Sequence, residues 1–182
     1  MVRVENLDIT FFHSPKNAGS SIANWLTSNV CGEEYMDDLR HEDPISLKPL
    51  FDDFGWSFCC VRNPWDRMVS WYNFFEGQGK IEGTFENFMD RSFSKDRSAK
   101  YYKPINPQMR FLRNVDYVIR YENLLEDFKV IQERCDCFVP LPHNNKSKHN
   151  KYVDYYTNRY YINIVREYYA EEIDVLGYKF GG

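Results

Sequence analysis

FFHSPKNAGSSIANWL, residues Phe11 to Leu26, and FCCVRNPWDRMVSWY, residues Phe58 to Tyr72, decide the reading of this chain. Each joins an apolar, strand-like run to a helix-like run through a turn rich in polar groups. In the first, Pro15-Lys16-Asn17-Ala18-Gly19-Ser20-Ser21 offers backbone N–H donors, a lysine and hydroxyls at a helix N-terminus, where an anion is electrostatically favoured. The second delivers Arg62 and Ser70 to the same kind of ligand. Two phosphate sites on one small domain point to a nucleotide phosphorylated at two separate places.

The surrounding sequence supplies the frame. Leu7 to His13 (LDITFFH) has the pattern of a buried parallel strand, and Ser20 or Ser21 is positioned to cap a helix in which Ile22, Trp25 and Leu26 recur at helical spacing. Trp56 to Arg62 reads as a second strand. Asn63-Pro64 ends it by supplying an N-cap and a first-turn proline for a helix running to about Phe75. Tyr117 to Arg120 (YVIR) reads as a third strand, followed by an amphipathic helix over Glu122 to Asp136 marked by Leu124, Leu125, Phe128 and Ile131. Thr84 caps a short helix through Arg91. A tyrosine-rich helix is expected from about Val153 to Glu172, with Tyr156, Tyr160, Ile164 and Tyr168 as its core face. Strands alternating with helices predict an α/β fold, a central parallel sheet covered by helices, with ligands at the carboxyl ends of the strands. No repeat or linker divides the chain, so residues 1–182 read as a single domain. The stretches Gly77 to Gly83 and Ser94 to Pro107 are candidate substrate-facing loops.

Composition narrows the partners. The chain has 182 residues, 43% hydrophobic and 18% aromatic, enough for a sizeable core. With 23 basic against 27 acidic residues and a net charge of -4, it has no general basic surface for nucleic acid, and any anion must be captured locally. No apolar stretch approaches the ~18 residues of a membrane span, and Met1 to Thr10 lacks the regions of a signal peptide, so a cytoplasmic protein without a membrane segment is expected. Five cysteines show neither an even framework nor zinc-type spacing with histidine. Cys59 and Cys60 read as strand core, and the Cys135 and Cys137 pair is not assigned a metal.

A nucleoside-triphosphate P-loop places its lysine after the last glycine and directly before Ser or Thr, whereas Lys16 precedes Gly19. The order Pro-Lys, three residues, Ser-Ser, then Val-Arg-Asn-Pro-x-Asp-Arg-x-x-Ser-x-Tyr instead resembles the sulfotransferases that use 3′-phosphoadenosine 5′-phosphosulfate, with the closest likeness to their carbohydrate branch. The likeness extends to Val118 to Leu124 and to Asn145 to His149, and so covers most of the chain. It implies a three-layer α/β sandwich with a P-loop-like phosphate-binding loop.

The resemblance also implies roles. Lys16, Asn17, Ala18, Gly19, Ser20 and Ser21 match the loop around the 5′-phosphosulfate, and Lys16 suits stabilisation of the charge that builds on the leaving phosphate. Arg62 and Ser70 match the 3′-phosphate ligands. Lys146 and Ser147 match a late segment that closes over the nucleotide, although a solvated lysine loop reads equally well there. The donor becomes 3′,5′-adenosine bisphosphate, the acceptor is a carbohydrate or other hydroxyl, and no metal is needed. An acceptor hydroxyl needs a base; His41 stands where relatives often carry one, with His13, Glu42 and Asp43 as rivals. Asp66 and Arg67 read as a local pair on a surface helix, and Trp65, Trp71 and Tyr72 as core. Two other readings stay open: a small-molecule kinase with a variant P-loop, and a non-catalytic nucleotide-binding module.

Overall fold

Four strands form one sheet in the order β1-β2-β3-β4. The computed structural model describes residues 1–31, 39, 41–51, 53–94, 105–142 and 150–182. In chain order the elements are β1 (Val2–Val4), β2 (Ile9–Phe12), α1 (Gly19–Leu26), α2 (Pro44–Leu47), β3 (Trp56–Val61), α3 (Pro64–Gly77), α4 (Phe85–Phe93), α5 (Met109–Leu112), β4 (Tyr117–Arg120), α6 (Leu124–Asp127), α7 (Lys129–Arg134), α8 (Arg159–Tyr168) and α9 (Ala170–Leu176). Strands β2, β3 and β4 are parallel, as the alternation of strands and helices predicts. The edge strand β1 is antiparallel to β2, with Val2 opposite Phe11. Its three residues are too short to announce themselves in the sequence.

The chain divides into two compact units, Met1–Arg62 with Gln108–Lys146, and Asn63–Pro107 with Ser147–Gly182. The first contains the sheet. Its core takes Ile9, Phe11, Phe58, Cys60 and Ile119 from the strands, Ile22, Trp25 and Leu26 from α1, and Phe128 and Ile131 from the region of α7. Phe58 and Cys60, two residues apart, share one sheet face by the alternation of a strand. Trp25 is fully buried and donates its Nε1 hydrogen to the Val139 carbonyl at 2.7 Å. The core of the second unit joins Trp65, Met68 and Val69 of α3 to Phe88 and Met89 of α4 and Val165 of α8.

Several local signals fold as expected. Asn63 Oδ1 accepts from Trp65 N at 3.1 Å with Pro64 in the first turn, and Thr84 forms a capping box with Asn87 at the start of α4. Others do not. Neither Ser20 nor Ser21 caps α1: the helix starts at Gly19 behind Ala18 in the left-handed conformation, with no side-chain cap. The helix expected over Glu122 to Asp136 is a 3-10 turn, α6 and α7, and the changed phase leaves Leu125 53% exposed. In the C-terminal segment Asn158 Oδ1 accepts from Tyr160 N and starts α8 at Arg159. That start shifts the buried stripe to Tyr161, Val165 and Tyr169, while Tyr160 is 57% exposed. Arg67 is not a surface residue: it is buried and donates to the Asn106 carbonyl at 3.0 Å.

Candidate anion-binding and catalytic site

The loop after β2 turns sharply through two non-glycine residues in the left-handed region, Lys16 (φ 67°) and Ala18 (φ 57°). That conformation costs an L-residue roughly 1–2 kcal/mol, so the surrounding contacts must hold it. Its result is an α1 whose first turn begins without a side-chain cap. The amide hydrogens of an uncapped helix start favour an anion, and the helix dipole adds to them. Gly19 is required here for packing: a Cβ would fall 1.8 Å from Cδ2 of His13, whose buried ring stacks on Phe11.

The loop is fastened by side-chain amides. Asn17 is fully buried, and its Nδ2 donates to Ser14 Oγ at 2.8 Å, the Cys60 carbonyl at 2.9 Å and Gln108 Oε1 at 2.9 Å. Three acceptors crowd two amide hydrogens, so the Asn17 side chain holds the loop in place and only its backbone N–H could serve an anion. Gln108, also fully buried, accepts from Arg62 N at 3.1 Å and donates from Nε2 to the Arg62 carbonyl at 2.6 Å. The β2 pairing ends at Phe12 opposite Cys59. Beyond that point the two amides carry the edge of β3 on to Arg62.

Arg62 thus leaves the end of β3 with its backbone clamped. Its guanidinium lies 4.0 Å from the Tyr121 ring centroid, and Nη1 donates to the Lys16 carbonyl at 3.3 Å. A guanidinium over an aromatic face is attracted to the ring and held in place by it. Burial, and after it the Arg62 charge, bring the Lys16 ammonium down to about 8 from its ordinary 10.5. Two cations close enough to disfavour one another, beside an uncapped helix start, are the donor set that a polyanion satisfies. The nearby thiols add no nucleophile: burial pushes Cys59 up to about 12 and raises Cys60 well above its ordinary range, so both stay protonated.

His41 stands at the same end of the sheet. Its ring meets that of His13 edge to face at 4.7 Å, and its Nδ1 lies 3.1 Å from the His13 carbonyl. Arg110 of α5 donates from Nη2 to the His41 carbonyl at 2.7 Å and reaches Asp43 Oδ2 at 3.7 Å. Asp43 accepts from Ile45 N and Ser46 N at 3.0 Å as the N-cap of α2, which commits this rival base to structure. Glu42 is exposed beside it.

The first unit therefore brings together Lys16, Asn17, Ala18, Gly19, Ser20, Ser21, Arg62 and His41. Ser20 is half-buried and Ser21 buried in the first turn of α1. Ser70 belongs to the second unit, where it is buried on α3. Lys146 and Ser147 lie outside the described residues. Gln108, Arg110 and Tyr121 were not singled out by the sequence, because their partners are distant along it. Tyr121 follows the YVIR strand directly, and that adjacency to the neighbouring strand end was the only available sign. Among the described residues no helix is long and apolar enough to cross a membrane, and no group of three or more His, Cys, Asp or Glu side chains gathers as a metal site.

Comparison with known proteins bears on this arrangement. The sulfotransferase domain family matches residues 58–169. The crystal structure of a sulfotransferase from Alicyclobacillus acidocaldarius is similar in fold, with a TM-score of 0.51 at 14% identity over 88% of this chain and 93% of that one. No curated protein matches the chain.

Proposed function

The chain belongs to the sulfotransferase domain family, and on that premise we propose that it transfers a sulfuryl group from 3′-phosphoadenosine 5′-phosphosulfate to a hydroxyl, on a carbohydrate acceptor. The observation that carries this reading is the meeting of Lys16 and Arg62 at the uncapped start of α1. The matched stretch runs through both units, which supports treating residues 1–182 as one catalytic domain.

When bound, the nucleotide supplies the sulfuryl group and departs as 3′,5′-adenosine bisphosphate. The 5′ end is held by the N–H groups of the Asn17 to Ser21 turn, with the Ser20 and Ser21 hydroxyls beside them. Lys16 places a cation where negative charge grows as the bond to sulfur breaks, so it stabilises the transition state more than the ground state. Arg62 offers the 3′-phosphate a planar pair of charge-assisted hydrogen bonds. A sulfuryl group bears less charge than a phosphoryl group, and these donors suffice for it without a metal ion. His41 takes the proton of the attacking hydroxyl. A carbonyl only accepts, so the contact with the His13 oxygen puts the hydrogen on Nδ1 and leaves the lone pair on Nε2.

Thermal unfolding of the wild type and Arg62→Ala with 3′,5′-adenosine bisphosphate, AMP and ATP–magnesium tests the donor site. Ligand at ~100 times its dissociation constant adds about 2.7 kcal/mol, or roughly 5 to 10 °C for a chain of this size. A shift selective for the bisphosphate and lost in Arg62→Ala is expected. A shift with ATP–magnesium alone, or none, overturns the reading. Transfer of labelled sulfate to a panel of sugars, alcohols and tyrosine peptides then tests the acceptor class.

A further inference from the structure

Gln108 occupies the N-cap position of α5, yet its side chain does not cap that helix. It turns instead to the end of β3, where one carboxamide makes three contacts: Oε1 accepts from Arg62 N and Asn17 Nδ2, and Nε2 donates to the Arg62 carbonyl. A planar amide that meets both the N–H and the C=O of one residue fixes the orientation of that peptide segment, as a neighbouring strand would. Arg62 needs such a hold. Beyond Val61 the ladder to β4 has ended, since the last paired residues are Val61 and Arg120.

From this geometry we infer that Gln108 is a positioning residue for the donor site: it sets the direction in which the Arg62 guanidinium leaves the sheet and, through Asn17, ties that direction to the loop carrying Lys16. This rests on the reading of Arg62 as the 3′-phosphate ligand. Gln108 touches no phosphate itself. Two-point recognition of a phosphate by guanidinium is sensitive to direction, because both N–H groups must meet oxygens at once. An amide that rotates the Arg62 backbone by a small angle therefore changes selectivity for the 3′ group before it changes anything at the 5′ end. Tyr121 completes the hold by lying under the guanidinium.

The test is the ratio of dissociation constants for AMP and 3′,5′-adenosine bisphosphate, measured by calorimetry on the wild type, Gln108→Met, Arg62→Ala and the double variant. Gln108→Asn serves as a second probe, since it retains an amide but withdraws it by one methylene, and it is read in the same way if Gln108→Met does not fold. The wild type is expected to favour the bisphosphate by about tenfold to a hundredfold, the range of one charge-assisted contact. Gln108→Met should bring that ratio most of the way to the Arg62→Ala value, and in the Arg62→Ala background it should lower the ratio no further. A folded Gln108 variant that keeps the wild-type ratio, or that weakens both nucleotides in parallel, overturns the inference while leaving the Arg62 assignment intact. A wild type that binds the two nucleotides alike removes the Arg62 assignment, and the role of Gln108 falls with it.

Discussion

The ring of His41 is anchored to the backbone of His13: Nδ1 lies 3.1 Å from the His13 carbonyl, at the root of the loop between β2 and α1. A hydrogen on Nδ1 directed at that carbonyl is the tautomer in which Nε2 would serve the proposed base. Removal of the imidazole by His41→Ala is expected to lower the turnover of sulfuryl transfer by about 10²- to 10⁴-fold, the usual worth of a positioned base, with the dissociation constant for 3′,5′-adenosine bisphosphate unchanged. Single-turnover rates with saturating donor check this. A variant that transfers at the wild-type rate returns the role to another group.

At the proposed donor site Lys16 should make nucleotide binding depend on pH. Burial and the neighbouring Arg62 charge disfavour its ammonium, bringing it to about 8, and a bound polyanion favours the ammonium again. Affinity for the bisphosphate should therefore be highest below pH 8 and fall as pH rises through it, with proton uptake on binding near pH 8. Lys16→Arg keeps the charge and should flatten that fall. In the unliganded protein the sign is opposite. The unfolded chain holds the proton up to about 10.5, so this group's contribution to stability rises with pH between about 8 and 10.5. Titration calorimetry in buffers of different ionisation enthalpy reads the proton uptake, and affinity that is level from pH 7 to 9 counts against the site.

Gly19→Ala drives a methyl group into the His13 ring, 1.8 Å from Cδ2, and that ring is packed against Phe11 and His41. Overpacking of this kind costs about 1–3 kcal/mol, which lowers the melting temperature by a few degrees. His13→Ala opens space for the methyl group, so the double variant should lose less than the two single losses added together. A double-mutant cycle in thermal unfolding measures the difference, and simple additivity would show that the clash is relieved elsewhere.

Arg110 holds the His41 carbonyl and the capping carboxylate Asp43. Arg110→Met keeps much of the side-chain volume and removes both contacts. Turnover should fall by about tenfold to a hundredfold through misplacement of the proposed base, with the affinity for the bisphosphate preserved. Steady-state kinetics separate the two, since a general loss of folding would lower donor affinity as well.

How far the sequence carries depends on how local each cause is. Asn63-Pro64 and Thr84 declare their helices because cap and first turn lie within three residues of one another. The parallel strands show as apolar runs for the same reason. Tyr156 is core as read, but beyond it the tyrosine stripe was read one residue out of phase, where Asn158 caps the start of α8. The start of α1 was misread because serines suggest a cap, whereas the left-handed Ala18 opens the helix without one. Lys16 and Arg62 stood out in their motifs, and the fold brings them into contact. Gln108 was not: its partners Asn17 and Arg62 lie 91 and 46 residues away, and nothing in Pro107-Gln108-Met109 announces that meeting. The burial of Arg67 was hidden likewise, since only the fold brings the Asn106 carbonyl to it.

The short helix α5 carries one amide to the proposed donor side and one guanidinium to the proposed base side, with a single residue between them. The consequence concerns what changes of length this stretch can accept. Gln108 and Arg110 answer to different partners, and an insertion of one residue between them would rotate one of the two side chains away from its partner. The stretch Gln108-Met109-Arg110 therefore tolerates substitution at Met109 more readily than any change of length.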